Sequence, residues 1–211
     1  PCEVRFSRLP SGEKRLIRVS ITDIEERKRN EALAHAQNKV LEMIAANTPY
    51  DRTLRAICRF VEKIDPTYRV AVMQVDPSGR SLSLAQGPSL PEAFGLFLDF
   101  VDIGPQSLSS GIAAHRGGEC ITTDLEKEPG WKATQRIARK HNVTAVWSFA
   151  LLGDAGRVIG TLDIYINEAR SPATDELDKI SRLARLAGIA IKRQLDEERL
   201  RTSEARYRGL F

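Results

Sequence analysis

Asp163 is the residue whose setting most suggests chemistry in this 211-residue chain. It lies in the run Val158–Ile166, VIGTLDIYI. Read as a strand, the run alternates. Val158, Gly160, Leu162, Ile164 and Ile166 fall on one side, and Ile159, Thr161, Asp163 and Tyr165 on the other. The first set is apolar and the second half polar, and an ionised carboxylate among apolar neighbours needs a partner or water. The remaining reactive side chains are scattered. Cys2, Cys58 and Cys120 are too widely spaced for a disulfide framework or paired metal ligands, a usage that fits a reducing cytoplasm. His115 and His141 belong to no spaced ligand cluster, so neither a metal nor haem is expected. Gly153-Asp154-Ala155-Gly156 has the form of a hairpin turn, without the Gly-Lys-Ser/Thr ending of a phosphate loop. No nucleophile is paired with a base, and no catalysis is expected of these residues.

Several elements must position Asp163. Apolar residues at 42% and charged residues at 28% are ordinary globular values, and the length suits one full domain with fragments of others. No apolar run approaches the ~18 residues of a membrane helix, and no basic-then-apolar leader opens the chain. A start at Pro1 suggests a piece of a longer protein. The net charge of +4 could suggest nucleic acid, but its location argues otherwise. Residues 31–191 hold 18 basic and 19 acidic side chains, and the excess sits at the two ends. A nucleic-acid domain would carry its basic stripe on the folded face, so no such partner is expected.

Residues 3–9 and 14–22 read as a hairpin around Pro10-Ser11-Gly12-Glu13. Two strands alone bury too little to be stable. A charged helix follows over 25–47, its narrow seam formed by Leu33, Ala36, Val40 and Met43/Ile44, a pattern suited to pairing with another helix. Asp51–Ile64 is a second amphipathic helix, and strands are expected at 68–76 and 80–87 around Pro77-Ser78-Gly79. Pro91–Phe100, Ser107–Arg116 and Gly130–Asn142 read as helices, the last carrying Trp131, with a short strand at ECITTD. Val143–Leu152 and Arg157–Asn167 form a hairpin, and Ser171–Thr202 a long helix with Pro172 in its first turn. Its stripe is Leu177, Ile180, Leu183/Ala184, Ala187, Ile191 and Leu195; beyond Ile191 it becomes strongly charged.

Three groups of residues resemble a known arrangement. RLIRVSITDIEERKRNEAL looks like the last strand of a PAS domain with its signalling linker, and SEARYRGLF like the opening helix of another. Between them, IGPQSLSSGIAAHRGGECITTDLEKEPGW, VTAVWSFALLGDAGRVIGTLDIYINEARSPATDEL and LARLAGIAIKRQ resemble a GAF domain of the kind found between PAS modules in bacterial sensors. The resemblance implies an α+β fold: a central antiparallel sheet of about six strands with helices on both faces and long N- and C-terminal linker helices. It divides the chain into a PAS hairpin (1–24), a linker helix (25–47), a GAF domain (48–193), a second linker helix (194–203) and the start of a further PAS domain (204–211).

The same resemblance places a small-molecule pocket on the sheet face that carries Thr161, Asp163 and Tyr165. Trp147 and Ser148 could line it or, for Trp147, pack the core. Trp131 could close it as a lid or anchor the start of a helix. Asp163 and Tyr165 are ligand contacts or a structural pair. Ser110 falls where the family often has Cys in Gly-Ser-Cys-Gly-Thr-Ala-Ala, which here reads Leu108-Ser109-Ser110-Gly111-Ile112-Ala113-Ala114. A bilin, held by some GAF domains on a Cys followed by His, is not expected, because Ile121 follows Cys120. The Asn-Lys-Phe-Asp-Glu set of cyclic-nucleotide GAF domains is absent, and Cys58 with Cys120 makes a poor pair for a thiol-based sulfoxide reductase.

The function implied is regulatory. Such a cytoplasmic module relays small-molecule binding or dimer repacking through its linker helices to an output domain of the cyclic-di-GMP (GGDEF/EAL) or histidine-kinase type. A ligand-free relay serving only dimerisation is the alternative. A homodimer through the helices is expected, with Val40 and Ile191 as the seam positions that would test it.

Overall fold

The computed structural model describes residues 2–9, 16–23, 25–132 and 134–208. The turn expected at 10–13 lies outside them, as do the last three residues of the expected second PAS start. The chain divides into two compact units, 1–39 and 40–211.

The first unit contains β1 (Cys2–Leu9) and β2 (Leu16–Asp23), paired antiparallel, and most of helix α1 (Glu25–Ala45). The register sets Val4 against Ile21 and Phe6 against Val19, so these four share one face of the ribbon. All four are exposed, Phe6 by 72%.

The second unit holds the end of α1, where Val40 is fully buried, and a six-stranded antiparallel sheet. Its strands are β3 (Arg69–Val75), β4 (Ser81–Gln86), β5 (Val101–Asp102), β6 (Glu119–Thr122), β7 (Ala145–Leu152) and β8 (Val158–Ile166). They lie in the order β5-β4-β3-β8-β7-β6. Helices α2 (Tyr50–Glu62) and α6 (Thr174–Arg208) cover the outer face. Leu54, Ile57, Cys58 and Val61 recur on the buried side of α2, and Ile180, Leu183, Ala184, Ala187 and Ile191 on that of α6, the spacing of a helical stripe. Gly160 makes the close approach of β3 and of α6 possible, because a Cβ there would collide with the Met73 carbonyl of β3 and crowd Ile191 of α6. The inner face is covered by α3 (Glu92–Leu98), α4 (Ser109–Arg116) and α5 (Gln135–Lys140).

The central strand β8 is covered on both faces and only Val158 is partly exposed, as befits a strand between two helical layers. Two expected helices change most in their limits. Residues 130–142 do not form one helix: a 3-10 turn at Pro129–Trp131 precedes α5, so Trp131 lies outside it. Asn142, at φ 55°, then turns the chain out of the helix, a conformation asparagine tolerates. The last helix begins at Thr174, two residues beyond Pro172, and continues unbroken to Arg208. The start at 174 follows from Glu176 reaching back to the N–H of Ala173 at 2.7 Å, a carboxylate cap on the first turn.

Candidate functional site

The ladder brings together residues that are far apart in sequence. Cys120 on β6 pairs with Ser148 on β7, Ser148 pairs with Asp163 on β8, and Asp163 pairs with Ala71 on β3. Paired residues project to the same side, so Cys120, Ser148 and Asp163 form one row across the inner face. Ser148, Thr161 and Asp163 are fully buried. Thr161 Oγ1 donates to Asp163 Oδ2 at 3.1 Å. Asp163 Oδ1 and Ser148 Oγ have no partner in hydrogen-bond geometry among the described residues. Burial pushes the Asp163 carboxyl up from 3.8 to about 7, against the opposing pull of the Ser148 and Thr161 hydroxyls. Tyr165 is also fully enclosed; burial, and then the charge of Asp163, drive its hydroxyl well above the ordinary range.

Around the row the inner face is aromatic. The Phe94 ring stands edge-on to Tyr165 at 5.2 Å and lies 5.5 Å from His141, while Phe97 approaches Trp131 at 6.5 Å. Such edge-on contacts are favourable beyond the area they bury. Trp131 is buried, and its indole N–H donates to Ser109 Oγ at 3.1 Å; Ser109 shares a hydrogen bond with Thr122 Oγ1 at 2.8 Å. Ser110 is buried beside Ser109 in the first turn of α4. His141 Nε2 is a third buried atom without a partner among the described residues.

Six of the seven residues singled out in the sequence thus belong to the inner side: Ser110, Trp131, Ser148, Thr161, Asp163 and Tyr165. Trp147 does not. Consecutive strand residues face opposite ways, so Ser148 pointing inward places Trp147 on the outer face. There its ring meets Tyr68 edge-on at 5.6 Å. Sequence reasoning missed Ser109, Thr122 and the alignment of Cys120, because the pairing of β6 with β7 is a long-range fact. The thiols are separated: Cys58 is buried on α2 at the outer face, its thiol pushed up to about 12 by burial and then by Glu62. The Cys120 thiol is also raised, chiefly by burial. Raised thiols are weak nucleophiles. Among the described residues no group of three or more His, Cys, Asp and Glu could hold a metal ion, and no helix is long and apolar enough to cross a membrane. A polar groove of about 690 Å³, bounded by Asp76, Arg157 and Lys192, opens elsewhere and includes none of the six inner-side residues named above.

This sheet order, with first and last helices on one face and a polar row on the other, meets its counterpart in a family comparison. The family model described as GAF domain matches residues 47–192. The chain belongs to the GAF domain family. The chain is 32% identical over 191 residues to the methyl sulfide methyltransferase-associated sensor of Methanosarcina acetivorans. That alignment covers 90% of this chain but 19% of the relative, so the chain spans about a fifth of the curated relative's length. Among solved structures, the GAF domain of a phosphoenolpyruvate-protein phosphotransferase from Coxiella burnetii superposes with a TM-score of 0.63 at 14% identity, over 86% of this chain and 98% of that one. The free methionine-R-sulfoxide reductase of Neisseria meningitidis, solved with its substrate, superposes at 0.60 and 24% identity, over 83% and 96%. At these identities the likeness is one of fold.

Proposed function

We propose that this chain is the sensory GAF segment of a cytoplasmic signalling protein, and that it takes a small molecule on the inner face of its sheet. The observation that carries this reading is the pair of fully buried polar atoms, Asp163 Oδ1 and Ser148 Oγ, which lie on directly paired residues of adjacent strands yet make no hydrogen bond of good geometry among the described residues. Leaving such atoms unpaired costs about 1–3 kcal/mol each, and a ligand's polar group placed between them would recover it. Trp131, Thr161, Tyr165 and Ser110 complete the lining, with the aromatic rings repacking to admit the molecule. Kinship with a sensor supports the regulatory role.

In this reading residues 1–24 and 204–211 are the adjoining edges of PAS domains, and the helices at 25–47 and 194–203 join them to the GAF domain at 48–193. The uncovered apolar ribbon of β1 and β2 supports the first of these. The output is a cyclic-di-GMP enzyme or a histidine kinase, reached through a homodimer of the linker helices. Val40 and Ile191 are fully buried within one chain, so neither is a dimer position; Leu41, Ile189 and Leu200, each exposed by 46% or more, are. The dense aromatic packing favours a second reading, a relay without ligand. Calorimetric screening against nucleotides, amino acids and aromatic metabolites separates the two. Binding that is lost in Asp163→Ala supports the ligand reading; no binding from any class favours the relay.

A further inference from the structure

On the outer face, the segment joining β8 to α6 forms a knot of strong contacts. The Arg170 guanidinium lies 4.8 Å from the Trp147 ring and 5.8 Å from that of Tyr68. It forks onto Glu176, with Nη1 donating to Oε2 at 2.8 Å and Nη2 to Oε1 at 3.1 Å. Glu176 also accepts from the Tyr68 hydroxyl at 2.5 Å and from the N–H of Ala173 at 2.7 Å. The Trp147 indole N–H donates to the Arg170 carbonyl at 3.0 Å. Bidentate arginine–carboxylate pairs and guanidinium stacking on aromatic rings are directional as well as strong. The start of α6 is therefore tied to β7 by geometry as well as by apolar burial.

The knot and the inner row share a strand. Trp147 is the chain neighbour of Ser148, and its cross-strand partner Ile164 is the chain neighbour of Asp163. A shift of β7 against β8 that accommodates a group between Ser148 and Asp163 must carry the Trp147 indole with it. We propose that the Trp147–Arg170–Glu176 knot reads the inner face and sets the first turns of α6, with Arg170 and Glu176 as positioning residues. This rests on the inner face being the sensing site. It names the mechanical exit from that site, an element that both faces bias.

The test needs no ligand. Asp163→Asn removes the inner charge, and amide hydrogen exchange of residues 177–182, the first hydrogen-bonded amides of α6, is compared at pH 8 with that of α2 in wild type, Asp163→Asn, Trp147→Phe and the double variant. Asp163→Asn is expected to change the α6-to-α2 exchange ratio about fivefold, the size of one net hydrogen bond. In the Trp147→Phe background the change should fall below twofold. If it persists there at full size, or if Asp163→Asn leaves the ratio unchanged, the knot is not the reader. Should Trp147→Phe fail to fold by circular dichroism, Glu176→Gln takes its place with the same expectations. The ligand screen fails separately: binding without exchange coupling overturns the knot alone, and coupling without binding overturns the sensing reading alone.

Discussion

Replacing Asp163 by Asn tests the central electrostatic argument, because the wild-type carboxyl should make the domain less stable as pH rises. In the unfolded chain the group ionises near 3.8, and in the fold near 7. Between those values the folded state holds the proton and the unfolded state does not, so stability falls with rising pH. The slope for one such group is about 1.4 kcal/mol per pH unit, which gives about 3 kcal/mol lost between pH 5 and pH 7. Among the described residues no charged partner offsets it: Thr161 and Ser148 offer hydroxyls, Ala71 lies opposite on β3, and the nearby Cys120 and Tyr165 are themselves raised by burial. Urea unfolding of wild type and Asp163→Asn at half-unit steps from pH 4.5 to 8.5 isolates this contribution, since every other group is common to both. Relative to wild type, the variant should gain about 3 kcal/mol between pH 5 and pH 8, whatever its offset at pH 5. A difference that stays flat across the range would mean that Asp163 is solvated in the fold, and the argument from its burial would collapse.

Other consequences of the structure are open to measurement. Ile189→Asp should raise the dimer dissociation constant at least tenfold by sedimentation equilibrium with the circular dichroism spectrum unchanged, whereas Val40→Asp should unfold the domain, because an isolated charge there has no access to water. Gly160→Ala should cost about 1–3 kcal/mol in urea unfolding, since the added methyl meets the Met73 carbonyl and Ile191; an unchanged midpoint would mean that β3 and α6 are not closely seated around it. With a maleimide at pH 7.5, Cys2 should react first, half-buried Cys120 slowly and Cys58 only on unfolding, as followed by mass spectrometry of tryptic peptides; early labelling of Cys58 would contradict the packing of α2.

The alternation of β8 was legible because its two faces differ in chemistry, and the stripes of α2 and α6 because helical spacing repeats over several turns. What decides the site was not. That Trp147 and Ser148 face opposite sides follows from any strand, but which of them faces inward depends on pairing with β8. Cys120 joins the row only through the register of β6. Arg170 stood out in no local pattern, and its partners Tyr68 and Trp147 come from loops and strands far along the chain. The separation of the turn at Pro129–Trp131 from the helix at Gln135–Lys140 is not legible because Gly130–Asn142 contains no internal proline to announce it. In each case the missing information was a contact between distant residues, which periodicity does not carry.

Helix α6 has 35 residues, which at 1.5 Å per residue is a rod about 52 Å long. Its fully buried stripe ends at Ile191, and the rest is laced by pairs one turn apart, Lys192 with Asp196 and Arg193 with Glu197. In the proposed relay such a rod would act as a lever directed from its first turns. A tilt of about 3° there, small enough for the domain's packing to absorb, moves the far end by roughly 3 Å, enough to slide one side chain out of register with a neighbour. In the proposed relay the length of the helix would supply gain, because a small tilt at its start grows along the rod.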